Sequence, residues 1–153
     1  MSGIKVVATN KSAYHNYNIV ETYEAGLSLK GSEVKSLREG QVNLKDSFVR
    51  IDDGEAYVLN MYIAPYKPAH KLQHDPYRKR KLLLHKREIL KLMGKVQEKG
   101  YTIIPTKLYF KNGKAKLEIA LAKGKAKHEK RQAIKERELK RELSKKFKGK
   151  IKL

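Results

Sequence analysis

From Tyr17 to Leu29 the chain alternates almost without interruption. Tyr17, Ile19, Glu21, Tyr23, Ala25, Leu27 and Leu29 take one side, and Asn18, Val20, Thr22, Glu24, Gly26 and Ser28 take the other. A period of two sustained this far predicts a strand longer than the usual five or six residues. Such a strand must curl to keep one face buried throughout, and Gly26 is where a bend or bulge costs least. A closed barrel is the natural consequence.

The rest of the chain supplies the other walls. Ile4 to Ala8 reads as a short strand. Gly31 to Gly40 reads as a short helix, with Ser32 able to cap it, Val34 and Leu37 on one face and Gly40 able to stop it. A hairpin turns near Asp53-Gly54, with Phe48 to Ile51 on one arm and Ala56 to Ile63 on the other. Residues 64–81 hold three prolines and a dense basic cluster, which predicts an ordered loop. Leu83 to Lys99 reads as a helix with Leu83, Ile89, Leu90, Met93 and Val96 on a rough apolar stripe and Gly100 as its stop. Tyr101 to Phe110, an Asn112-Gly113 turn, and the alternating Ala115, Leu117, Ile119 and Leu121 form a second hairpin. Pro105 places its strand at an edge or a bulge.

The expected class is mainly β with small α-helices: an OB-fold-like closed barrel with inserted helices and a basic C-terminal tail. Residues 1–122 form the barrel and 123–153 the tail. That tail carries fourteen Lys/Arg against four Glu, so +10 of the formal +20 sits on the last 31 of 153 residues. It has too little apolar surface to offset the entropy of ordering, so it is expected to be disordered when free. Two i, i+4 pairs, Glu136/Lys140 and Glu142/Lys146, and a stripe of Leu139, Leu143, Phe147 and Ile151 favour a helix once its charge is neutralised.

A net charge of +20 points to a nucleic acid or an anionic surface. No run approaches the roughly 20 apolar residues a membrane span requires. The N-terminus lacks a secretory pattern, and zero cysteines exclude disulfides and thiolate metal sites, which fits a cytoplasmic protein. His70 and His74 stand at i, i+4, but Asp75-Pro76 interrupts any shared helix, so no metal site is expected. Asp52 and Asp53 are adjacent and read as a turn. Gly26 and Gly31 have the spacing of a phosphate loop, but Ser32-Glu33 stands where Lys and Ser or Thr are needed. No cofactor and no enzymatic activity are expected. Tyrosines 62, 66 and 77 among Lys67, Lys71, Arg78, Lys79, Arg80 and Lys81 instead favour RNA or DNA, with cations for phosphates and rings for bases.

Five blocks carry a family resemblance: NKSAYHNYNI (10–19), EAGLSLKGSEVKSLREG (24–40), DPYRKRKLLLHKREI (75–89), EKGYTIIPTKLYFKNGKAKLEIALAKGK (98–125) and HEKRQAIKERE (128–138). In this order they resemble the small protein B (SmpB), or SsrA-binding protein, family along nearly the whole chain. The resemblance implies an OB-like barrel that binds the tRNA-like domain of transfer-messenger RNA (tmRNA) and delivers it to stalled ribosomes. It places Asn10, Lys11, His15, Glu24 and Leu84, with Lys35 and Arg38, on or beside the RNA face; Arg78, Arg80 and Lys81 of the basic cluster join them as candidates. It also implies a tail that occupies the empty mRNA channel and the small-subunit rRNA of the decoding centre. That role falls on Glu129, Lys130 and Arg131, with Lys123, Lys125, Lys135 and Arg137 as further tail contacts. Glu129 stands where the family pattern usually has Asp, which keeps the charge and lengthens the reach. The expected state is a monomer with no membrane partner. The alternative is a general OB-fold ribosome- or RNA-associated protein with a basic tail.

Overall fold

The computed structural model describes residues 3–66, 74–98 and 100–125. The chain is mainly β with three small helices. In order it runs β1 (Ile4–Thr9), α1 (Lys11–Asn16), β2 (Tyr17–Leu27), α2 (Gly31–Arg38), β3 (Val42–Asn43), β4 (Phe48–Asp52), β5 (Glu55–Leu59), β6 (Tyr62–Ile63), β7 (Arg80–Leu83), α3 (Lys86–Val96), β8 (Tyr101–Lys111) and β9 (Lys114–Gly124). Seven strands form one antiparallel sheet in the order β1-β8-β9-β2-β7-β5-β4, and β3 pairs with β6 beside it. This ladder is open: β1 and β4 are its two edges. The closed barrel expected from the sequence is therefore not a closed hydrogen-bonded ladder. The sheet does curl, because β4 comes against β8 and Val49 shares a core with Ile103, Leu108 and Leu117.

The long strand is present, with a phase change that simple alternation hides. A register shift between Ile19 and Glu21 leaves Val20 as an extra residue, 53% exposed. One extra residue swaps the faces on either side of it. Tyr23 and Ala25 therefore face the main core, while Tyr17 and Ile19 pack with Ala13, Ile104, Ala120 and Ala122 in a second cluster. The second cluster seats α1 on the outer face of the sheet. Gly26, where a bend was expected, pairs with both Lys116 and Leu83 as β2 passes from β9 to β7. A Cβ there would lie 3.2 Å from the Leu83 Cβ, so a side chain at this position would press on the closely approaching β7.

Both hairpin turns are as expected, with Asp53 and Gly54 at φ 50° and 77° and Asn112 and Gly113 at 51° and 79°. Pro105 sits in β8 between β1 and β9, so of the two expected placements it takes the bulge. Pro105 pairs with Ile119 and Lys107 with Glu118, leaving Thr106 as the inserted residue.

Three local expectations are corrected. Ser32 does not cap α2; Lys30 is the cap position, and the Glu33 carboxylate accepts the Lys30 amide at 2.8 Å. Leu83 does not open a helix: Arg80–Leu83 is a strand inside the stretch read as loop and helix, because Arg80 and Leu82 alternate inward. The helix starts at Lys86, with Glu88 accepting the His85 amide at 3.1 Å. Its buried residues are Ile89 and Leu92, whereas Leu90 is 56% exposed. β9 continues to Gly124, past the expected domain boundary at 122, and the Lys125 amide donates to Asn16 O at 2.9 Å. Among the described residues no helix is long and apolar enough to cross a membrane. The His70 half of the histidine pair and the tail positions 126–153 lie outside the described residues.

Candidate RNA interface

The bulge at Thr106 organises one end of the sheet. Its turned carbonyls are taken by Asn10, whose amide donates to Thr106 O at 2.7 Å and whose side chain donates to Pro105 O at 2.9 Å. Asn10 is 6% exposed, so it fixes the junction of β1 and α1 rather than facing solvent. Lys11 is exposed and His15 half-buried on the helix it holds in place.

Outward from the main core, β8 presents Lys107, Tyr109 and Lys111. β9 presents Lys114, Lys116 and Glu118, and β2 presents Glu24; the pairs Tyr109–Lys116, Lys107–Glu118 and Glu24–Glu118 set the rows. Two carboxylates directly opposite each other would repel. Each is answered by a hydroxyl: Tyr109 donates to Glu24 Oε2 at 2.5 Å, and Thr106 donates to Glu118 Oε2 at 2.6 Å. Lys111 Nζ is 3.5 Å from Glu24. The Tyr109 hydrogen bond, aided by Lys111 and Lys116, holds the Glu24 carboxyl below its ordinary range; burial and the Glu24 charge push the Tyr109 phenol up. Glu24 on a cationic face thus acts by orienting Tyr109 and Lys111. Cation rows of this kind suit phosphates, and the tyrosine offers an edge or face to a base.

A second group lies around α2 and β7. Glu33 and Arg80 are both fully buried and paired, with the Arg80 Nε donating to Glu33 Oε2. Arg78 Nη2 reaches Glu33 Oε1 at 2.6 Å. Arg80 also donates to Met61 O at 2.6 Å and Pro76 O at 3.1 Å, tying β6 and the turn before β7 to α2. Burial alone raises the Glu33 carboxyl, but the hydrogen bonds from Arg78, the Lys30 amide and Arg80 outweigh it and hold it below the usual carboxylate range. Burial pulls the Arg80 guanidinium down while Glu33 opposes that. His74, 5% exposed, completes the seam: it bonds Ile63 O at 2.9 Å and the Ser32 hydroxyl at 2.8 Å.

Arg80 is thus corrected from an RNA contact to a buried tie, because its guanidinium is consumed by protein acceptors. Arg78 is only 28% exposed at its side chain and shares that carboxylate. Lys35 (5.6 Å over the Tyr66 ring) and Arg38 are exposed on α2. Lys81 is exposed and 3.4 Å from Glu55. Leu84 packs on the core between β7 and α3. Lys123 lies 5.6 Å over the Tyr101 ring, and Lys125 Nζ donates to Tyr14 O at 3.4 Å. Lys107, Lys111 and Lys116 were not among the residues expected from the sequence, although alternation from the Asn112-Gly113 turn puts them on one face. Lys81, which was expected, stands in a row Arg50–Tyr57–Lys81 across β4, β5 and β7 whose other two members were not, with Lys79 4.2 Å over Tyr57. Counting back from the Asp53-Gly54 turn pairs Arg50 with Tyr57.

Fold and charge together define a class: a small antiparallel β domain that displays rows of cations around aromatic rings and leads into a basic C-terminal extension. Within that class the chain belongs to the SmpB protein family, whose sequence model matches residues 7–149. It is 85% identical over 151 residues to the SsrA-binding protein of Persephonella marina, covering 99% of each chain. It is 66% identical to the SsrA-binding protein of Aquifex aeolicus over 96% of this chain and 94% of that one. A chain of the solved structure "tmRNA-SmpB: a journey to the center of the bacterial ribosome" superposes with a TM-score of 0.68 at 50% identity, covering 83% of this chain and 93% of that one.

Proposed function

We propose that this chain is the RNA-binding adaptor of trans-translation: it binds the tRNA-like domain of tmRNA and delivers it to stalled ribosomes in the cytoplasm, without catalysing a reaction itself. The observation that carries the reading is full-length kinship with SsrA-binding proteins together with the cation rows on the outer sheet face. Lys11, His15, Lys107, Lys111 and Lys116 meet the RNA, with Glu24 holding Tyr109 and Lys111 in register and Asn10 holding α1. Lys35, Arg38, Arg78 and Lys81 add a second cationic edge, which the buried Arg80 and the core-packed Leu84 support. The curled sheet works as an OB-like barrel closed by side-chain packing of β4 on β8 rather than by hydrogen bonds.

The basic extension from Lys123 onward is a separate arm. Its charge draws it to rRNA, it becomes helical when neutralised, and Glu129, Lys130, Arg131, Lys135 and Arg137 occupy the empty mRNA channel at the decoding centre.

A salt titration tests the phosphate-dominated interface. With about six phosphate contacts, affinity for the tRNA-like RNA falls roughly a thousandfold between about 50 and 200 mM salt. A flat response contradicts the reading.

A further inference from the structure

Beside the β3–β6 ribbon lies a shallow cleft of about 450 Å³, lined by Asn43, Lys45, Asp46, Asn60, Tyr62 and Tyr77. Its size is that of a small-ligand site. Tyr77 is 57% exposed yet fixed in place. Its amide donates to Asp75 Oδ1 at 2.9 Å, the Arg78 amide closes the turn on Asp75 O at 3.1 Å, and its ring leans on Tyr62 with centroids 5.3 Å apart. An aromatic ring held open to solvent on an ordered turn is a ready stacking platform.

The polar side of the cleft is also preset. Asn60 Nδ2 donates to Asp46 O at 3.1 Å, and Asn43 Oδ1 accepts the Lys45 amide at 2.9 Å. Asp46 and Asn60 both hold left-handed backbone, φ 62° and 63°. Among the described residues, no hydrogen bond or ion pair engages the Asp46 carboxylate. An ionised carboxylate only accepts, so it turns a phosphate away and selects a group with adjacent donors. Of the four RNA bases only guanine shows two neighbouring donors, N1–H and N2–H₂, on its Watson–Crick edge. Adenine and cytosine set a ring acceptor beside their amine, and uracil flanks its single N–H with carbonyls. RNA bases read by proteins are typically unstacked, laid on an aromatic ring and bonded along that edge.

We infer that this cleft takes one unstacked guanine of the bound RNA, with its ring on Tyr77, its N1–H and N2–H₂ donating to the Asp46 carboxylate, and Lys45 on an adjoining phosphate. This rests on the RNA-binding reading above and adds a base-reading subsite to it.

The test uses the full chain and labelled pentanucleotides of uridine with a central guanosine, inosine or adenosine, read by fluorescence anisotropy at about 200 mM salt, with tRNA-like RNA as the reference. The guanosine probe binds about tenfold tighter than the adenosine probe, with inosine between because it lacks N2–H₂. Asp46→Asn, which tolerates the left-handed backbone, abolishes the preference. Tyr77→Ala weakens the guanosine probe about tenfold, and Tyr77→Phe restores it. Equal binding of guanosine and adenosine probes, or a preference that survives Asp46→Asn, overturns the guanine subsite while salt-dependent binding of tRNA-like RNA still stands. Failure of every RNA to bind, tRNA-like RNA included, overturns both.

Discussion

Replacing Glu33 by glutamine lowers the free energy of unfolding by about 3–5 kcal/mol, the usual cost of leaving a buried charge without its partner. Arg80 is fully buried against Glu33 and has no route to water, whereas Arg78 is exposed enough to turn outward. Domains of this size are stable by only about 5–15 kcal/mol, so one substitution removes a large share. The double change Glu33→Leu with Arg80→Met recovers only part of the loss, because Met61 O and Pro76 O then lose their donor. Urea unfolding of Glu33→Gln, of Arg80→Met alone and of the double variant measures each step. Costs below about 1 kcal/mol for both single changes would mean the cluster is not what ties α2 to β7.

The same pair predicts a pH response. The folded Glu33 carboxyl lies below its ordinary value of 4.5, so its contribution is fully present above that value and drains away as pH falls through the folded value. Wild-type stability therefore declines on acidification below the ordinary carboxylate range, and Glu33→Gln shows a shallower decline there.

Removing residues 126–153 leaves affinity for the tRNA-like RNA mostly intact and abolishes peptide tagging on stalled ribosomes. The cut belongs after Lys125: β9 runs to Gly124 and the Lys125 amide is bonded to Asn16, so a cut at 122 would also damage the end of the sheet and the seat of α1. Filter binding and an in vitro tagging reaction with the truncated chain separate the two functions. Equal loss of both would merge the arm and the sheet into one binding unit.

The sequence made the local features legible and the long-range ones obscure. Both Gly turns, the long alternating strands and a helix near residues 31–40 follow from periodicity and turn chemistry. The bulge at Val20 does not, since an extra residue breaks register without breaking composition. β7 was hidden because Arg78 to Lys81 reads as solvated charge; only a carboxylate 47 positions away turns Arg80 inward. α1 is six residues with one buried side chain, Ala13, too short to show a stripe. Site roles depended on contacts still more distant. Asn10 was expected at the RNA face, and its work of gripping the Pro105 carbonyl spans 95 positions. Glu24 was likewise expected at the RNA face, and the Tyr109 hydroxyl that its charge orients lies 85 positions on.

The central claim is that the sheet face selects the tRNA-like domain of tmRNA. Competition binding of isolated tRNA-like RNA against bulk tRNA, for the full chain and for residues 1–125, tests it most directly. Both forms should hold the tRNA-like RNA against a large excess of bulk tRNA. Displacement by bulk tRNA as readily as by the tRNA-like RNA itself, in both forms, would contradict it and leave a general RNA-binding protein with a basic tail.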